Sequence, residues 1–316
     1  MKFRITAADT FIWNLKELVD FLIKHQHQHI TIENGNEGCC SRTIGLYDWL
    51  DKFEFTSVTI ETGNVLETHD FYDVKYKGSW GYIDVSRPID PSLHVWNQKS
   101  IFGTVFGRPL WHRLGIASHL LSRYSDISAV GCLLNPADDD QRELTELTQL
   151  WQYHPASVVN FGNIIDQLPV QHTDVDEYTP GATLTDGYVK QTERIYPNFL
   201  IEIVAETFTS GRCFFVTEKT VRPMLLKKPM IVMGSRDYLD YLHQMGFKTF
   251  NNFWDENYDG FANADRYQKI LQLIDQIATY SKEELQKMYL GMQSILDHNY
   301  NLLVNRTYNT NITYIE

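Results

Sequence analysis

The sequence predicts an α/β protein of two successive units, each a mostly parallel sheet covered by helices. Early in the chain the order is helix, strand, loop, helix, strand, and a second alternating series starts near residue 127. The length supports two units, because 316 residues exceed one core at roughly 100–200 residues per domain. Apolar runs at strand length and helical spacing at longer range separate the two element types.

In the first unit, Phe11 to His25 carries apolar residues at helical spacing (Phe11, Leu15, Leu18, Val19, Leu22, Ile23). Ile30 to Ile32 reads as a short strand, and Glu33-Asn34-Gly35-Asn36-Glu37-Gly38 as the loop after it. A helix over about Thr43 to Lys52 runs into a strand at Ser57 to Thr62. Residues 68 to 106, rich in Tyr, Trp, Gly and Pro, carry no regular pattern, and Arg113 to Tyr124 is helical.

The second series predicts a strand at Ile127 to Leu134, a helix from Asp138 to Trp151 and a strand at Ser157 to Phe161. Residues 164 to 194 read as loop, with a turn at Pro180-Gly181. Strands follow at Asn198 to Ala205 and Met230 to Met233, then a helix from Arg236 to Met245 and a short strand at Lys248 to Phe250. Two helices, about 262–278 and 281–297, close the chain. The expected division is 1–124, 125–280, and a C-terminal helix and tail, 281–316, packing back on the first unit.

Composition narrows the function classes. Hydrophobic residues make up 43% and charged residues 22%, which is ordinary for a globular chain. No run reaches the ~18 apolar residues that span a bilayer, so no membrane span is expected. The first residues have acidic side chains inside their apolar part and lack a small-residue cleavage site, so they read as folded structure. Cys39, Cys40, Cys132 and Cys213 have no CxxC spacing, which points to reduced thiols and a cytoplasmic setting. A net charge of −12 disfavours a nucleic-acid partner, since gripping a duplex calls for a basic surface.

The segment from Phe214 to Gly234 concentrates the chemistry. An apolar stretch leads to Thr217-Glu218-Lys219 at a helix start and then to a buried strand closed by Gly234. Thr217 can cap the helix, the free N–H groups face outward, and Lys219 adds a full positive charge, so this is a place for an anionic ligand. Ligands in such sheets sit outside the carboxyl ends of the strands, and the loops after Leu134, Ala205 and Phe215 share that edge.

Phe199 to Thr207, then Phe215-Val216-Thr217-Glu218-Lys219, then Pro229 to Gly234 resemble the donor-binding signature of α1,3-fucosyltransferase-like glycosyltransferases. Upstream, Leu134-Asn135-Pro136 followed by Arg142 is similar to that family's Ser-Asn-Pro strand end with an Arg in the next helix. The likeness covers roughly residues 127–260. The chain departs from the pattern at Phe215, usually Tyr, and Thr207, usually Asn, and has about two extra residues after Glu206. The resemblance implies two Rossmann-like domains facing a cleft (a GT-B-like fold). It also implies transfer of a sugar from a nucleotide-diphosphate sugar, GDP-sugar favoured, to a carbohydrate or other hydroxyl acceptor, with inversion. The donor-binding residues it implies are Asn135, Arg142, Glu206, Thr207, Phe215, Thr217, Glu218 and Lys219. Lys219 and Arg142 would face the diphosphate and offset the charge that grows on the departing nucleotide. Such enzymes can work without a metal or other cofactor, the nucleotide sugar being a co-substrate.

An inverting transfer needs a base for the acceptor proton. Glu37 is the first candidate, on a glycine-flanked loop after a strand; Glu61, Glu67 and Asp70 are the alternatives. Asp138-Asp139-Asp140 matches a DxD metal motif but sits where helix-capping acids belong, and capping is favoured. His25, His27 and His29 share one face if extended, and read as a solvated edge rather than a zinc site. Arg108, His112 and Arg113 are near the junction and read as structural. Arg222, Lys227 and Lys228 read as solvated helix charges. Two further readings stay open: a bacteriophage-type transferase acting on a hydroxylated DNA base, and a non-catalytic nucleotide-sugar or glycan-binding protein.

Overall fold

In a computed structural model the chain is described over residues 1–7, 12–34, 38–77, 85, 89–107, 110–132, 140–168, 170 and 193–313, with the backbone alone for 140–144. It is an α/β protein with two four-stranded parallel sheets. In the first, β1 (Lys2–Ile5), β2 (Ile30–Asn34), β3 (Val58–Thr62) and β4 (Asp73–Tyr76) lie in sequence order. Helices α1 (Leu15–His25) and α2 (Leu46–Lys52) make the first two crossovers. Leu18 and Leu22 of α1 and Leu46 and Leu50 of α2 are buried against Ile30, Ile32 and Ile60, so the apolar spacing of both helices is spent on this sheet.

The second sheet has the order β6-β5-β7-β8, from β5 (Ser100–Phe106), β6 (Ser128–Cys132), β7 (Phe199–Ala205) and β8 (Met230–Met233). Its helices are α3 (Trp111–Arg123), α4 (Asp140–Tyr153), α5 (Pro155–Ile164), α6 (Glu218–Leu225), α7 (Tyr238–Gln244), α8 (Asn263–Ile277) and α9 (Lys282–Val304). All residues of β7 and β8 are buried, the continuous apolar run that a parallel strand covered on both faces requires. The chain steps from β5 to β6, then crosses back over β5 to β7. That reversal makes the carboxyl ends of β5 and β7 a topological switch point, where adjacent crossovers diverge and leave a crevice.

Several expectations change. Strands β1, β4 and β5 were not legible: β1 and β4 are short and largely exposed edges, and β5 lies inside the aromatic-rich stretch. Both β5 and α3 belong to the second sheet, so the boundary between sheets falls after β4, ahead of residue 124. Residues 157–161 are helical, not a strand. Pro155 opens α5, and Ser157, Phe161 and Ile164 bury one helical face while Val159 is exposed. Lys248 to Phe250 forms no strand. Helix α9 starts with a reciprocal cap, Glu284 N donating to Ser281 Oγ and Ser281 N to Glu284 Oε2. It runs on to Val304 and packs on α6 and on residues 94–98, where Tyr289 donates to the His94 carbonyl.

Candidate functional site

The loop after β7 and the start of α6 meet over one buried carboxylate. Thr217 is the N-cap of α6, its Oγ1 accepting from Lys219 N at 3.1 Å. The same hydroxyl donates to Glu206 Oε2 at 2.6 Å. Thr220 Oγ1 and Tyr238 OH donate to Glu206 Oε1 at 2.7 and 3.1 Å, and Thr217 N approaches it at 3.5 Å. Glu206 is 2% exposed. Expected to touch the donor, it lines the cleft and spends both oxygens on the capping turn, which fixes the α6 amide end from beneath.

Above this carboxylate, Lys219 Nζ lies 3.0 Å from Glu218 Oε1 and 3.2 Å from Thr217 Oγ1. Burial lifts the Glu218 carboxyl, but the charge and hydrogen bond of Lys219, the Arg222 charge and its own backbone amide together more than reverse this, leaving it below its ordinary range. Glu218 and Lys219 thus form a partly exposed ion pair at a helix N-terminus. An incoming anion can take the ammonium from Glu218, and the freed carboxylate can then accept from ligand hydroxyls.

From the other side of the switch point, α3 grips the end of β7. Arg113 Nε and Nη2 donate to the Ala205 carbonyl at 3.1 and 2.9 Å. His112 Nε2–H donates to the Glu206 carbonyl at 2.9 Å, which fixes the tautomer. Burial, reinforced by Arg113, Arg266 and Lys219, lowers the His112 pKa to about 3, so the ring is neutral. The structural reading of His112 and Arg113 holds. The first-turn amide of Trp111 is taken by Glu146 Oε2 at 2.8 Å.

Loops from the carboxyl edge of the first sheet close on this turn. Asn64, just after β3, donates to the Arg212 carbonyl at 2.8 Å and accepts from Phe214 N at 3.0 Å, so its side-chain amide pairs with the chain as a strand would. Gly38 has φ +75°, and a Cβ there would lie 2.4 Å from Phe215 Cβ. Gly211 has φ +78°, and a Cβ there would lie 1.9 Å from Thr43 Oγ1. Both positions need glycine for conformation and for closeness. Gly38, Thr207, Phe215, Thr217 and Ser235 are among the residues lining a cleft of about 220 Å³, open solvent included.

Of the expected site residues, the structure therefore gathers Glu206, Thr207, Phe215, Thr217, Glu218 and Lys219. Asn135, Glu37 and Arg108, with Asp138 and Asp139, lie outside the described residues, as does the side chain of Arg142, which belongs to the first turn of α4. Among the alternative bases, Glu61 pairs with Lys2 and Lys77 on the face of the first sheet. Glu67 accepts from Ser41 N, Tyr47 OH and Asn64 Nδ2. Asp70 is exposed. His25 ends α1 rather than sharing an extended face with His27 and His29. Among the described residues no group of three His, Cys, Asp or Glu side chains has metal-binding spacing.

Two expectations about charge are corrected. Arg222 is buried and paired with Glu202 at 3.3 Å, with Tyr196 OH donating to the same carboxylate at 2.6 Å. Lys228 is 1% exposed, donates to the Val95 carbonyl at 2.8 Å, and is pushed by burial down to about 7. Helix α9 packs on α6, and the 94–98 segment meets α9 and Lys228 just past α6, which a single helix pattern does not reveal. Asn64 was missed altogether. Its signal was available: an Asx residue after Thr62-Gly63 at the carboxyl end of a parallel strand.

No protein-family model matches the chain, and no curated protein matches it.

Proposed function

We propose that the chain is a glycosyltransferase of GT-B-like arrangement that moves a sugar from a nucleotide-diphosphate sugar, GDP-sugar favoured, to a hydroxyl acceptor with inversion. The observation that carries this reading is the Lys219–Glu218 pair on the capped N-terminus of α6, set at the reversal between β5 and β7 and braced by buried Glu206. A diphosphate meets there a full positive charge and outward N–H groups. The meeting of carboxyl-edge loops from both sheets, through Asn64 and Gly38, agrees with a cleft shared by two units.

In the proposed reaction the acceptor oxygen bonds to the anomeric carbon as the bond from that carbon to the diphosphate oxygen breaks. The electron pair leaves with the diphosphate, beside Lys219 and the α6 dipole, and Arg142 is the second cation proposed for it. The acceptor proton passes to a carboxylate, for which Glu37 remains the first assignment, because Glu67 is engaged and Glu61 is ion-paired outside the cleft. Incubation with GDP-, UDP- and ADP-sugars, with nucleotide release followed by chromatography, tests this. Release of one nucleotide, lost in Lys219→Ala, is the expected result. Tight nucleotide binding without release in the presence of any acceptor would leave a binding protein instead.

A further inference from the structure

Beside the polar cleft, and sharing Phe215 with it, lies a second hollow of about 570 Å³, open solvent included. Phe214, Phe215 and Val216, the three residues before the Thr217 cap, line it, with Val65 from the loop after β3 and Tyr76 at the end of β4. Its far wall is the C-terminal tail, through Thr310 and Ile312. That wall is built rather than draped. Asn309 N donates to the Met245 carbonyl at 3.0 Å, and Gln244 holds Thr313 by three hydrogen bonds, Nε2 to the Thr313 carbonyl at 2.9 Å and Thr313 N and Oγ1 to Oε1 at 2.8 and 3.2 Å. The two pins fix the tail on either side of Thr310 and Ile312. Tyr308 stacks on Phe247, centroids 5.9 Å apart, just before them.

The chemistry of this hollow differs from that of the cleft. Among the described residues no charged side chain lines it; Tyr76 and Thr310 supply its hydroxyls, and the rings of Tyr76 and Phe215 supply aromatic surface, Phe214 being packed against Tyr238 and Tyr241 beneath. Its cavity volume proper is about 170 Å³, room for one aromatic ring, since an apolar cavity of about 150 Å³ takes benzene. It adjoins the donor turn through a continuous run of chain, so a molecule seated in it lies next to the cleft without entering the Lys219 site.

We infer that this hollow binds the aryl portion of the acceptor, so that the hydroxyl compound glycosylated is a planar aromatic alcohol rather than a wholly polar glycan. Naming the occupant as the acceptor rests on the glycosyltransferase reading; the aryl-binding site itself does not.

The test titrates full-length protein with 4-methylumbelliferone and 1-naphthol, followed by their fluorescence, with 1-decanol as the aliphatic comparison and GDP titrated separately. The two aromatic alcohols should bind and decanol should not compete. Val65→Trp and Ile312→Trp, which fill the hollow from opposite walls, should each weaken aryl binding at least about tenfold and leave GDP binding unchanged. Ile312 lies on the half-exposed tail, so its variant keeps the test alive should Val65→Trp fail to fold. Absence of aryl binding, equal binding by folded variants, or preference for decanol would each overturn the assignment. Aryl binding lost in the variants together with no nucleotide binding would retain the hollow and remove the donor reading.

Discussion

In the first sheet each crossover steps the same way, β1 to β2 to β3 to β4; in the second the chain steps from β5 to β6 and then back across β5 to β7. The two are alike in strand number and in being parallel, yet the capped Thr217-Glu218-Lys219 turn and the buried Glu206 belong to the second. Only there do neighbouring crossovers diverge, letting α3 and α6 point their amino ends at one crevice from opposite sides. The first sheet, without a reversal, uses its carboxyl-edge loops to clamp the other: Asn64 and Gly38 hold the 212–215 segment in place. Its own charges lie outside, in the Lys2–Glu61–Lys77 ladder on the sheet face. Topology thus decides which sheet has a crevice, and loop contacts decide how firmly the Thr217 turn beside it is held.

This contrast breaks most visibly at Glu206. Replacing it with Ala leaves the hydroxyls of Thr217, Thr220 and Tyr238 without their buried acceptor, and urea unfolding should show a loss of about 3 kcal/mol or more. A loss below ~1 kcal/mol would mean that the carboxylate does not organise the turn. Next in size is Asn64→Ala, which removes two hydrogen bonds across the sheets and should cost about 2 kcal/mol. Its distinctive readout is separation of the unfolding transitions seen by tryptophan fluorescence and by circular dichroism, since the clamp joins two cores.

A smaller effect concerns pH. The Lys228 amine titrates near 7 in the native state and near its ordinary 10.5 when unfolded. Between those values the unfolded chain holds a proton that the native chain has released. Stability therefore rises with pH through this window, by up to ~1.4 kcal/mol per unit from this group. Lys228→Met should flatten that rise between pH 7.5 and 9.5, measured from urea midpoints; an unchanged slope would place the amine in water. At the bottom of the scale, Glu61→Gln on the first sheet disrupts solvent-facing pairs and should leave the unfolding midpoint within experimental error.

Where apolar period and burial coincide, the sequence is readable: Phe199 to Ala205 and Met230 to Met233 are strands because every side chain is covered. Edge strands such as Asp73 to Tyr76 are silent, since half-exposed polar residues carry no alternation. Ser157 to Phe161 misled because β-branched residues fit a helix whose exposed face is apolar. At the site, the Thr217-Glu218-Lys219 turn was legible from local capping chemistry. The inward turn of Glu206 was not, for it depends on Thr220 and Tyr238, which approach only after the chain has folded. Arg222 and Lys228 were misread for the same reason: what pairs with them, Glu202 and Tyr196 for Arg222 and the Val95 carbonyl for Lys228, is distant in sequence.

The most direct measurement is calorimetric titration of GDP into the wild-type chain and into Lys219→Ala, with UDP and ADP alongside. Binding of one diphosphate by the wild type, weakened in the variant by roughly 1.5–3 kcal/mol with an unchanged melting temperature, is the predicted result. Equal affinity of the folded variant would contradict a diphosphate site on α6.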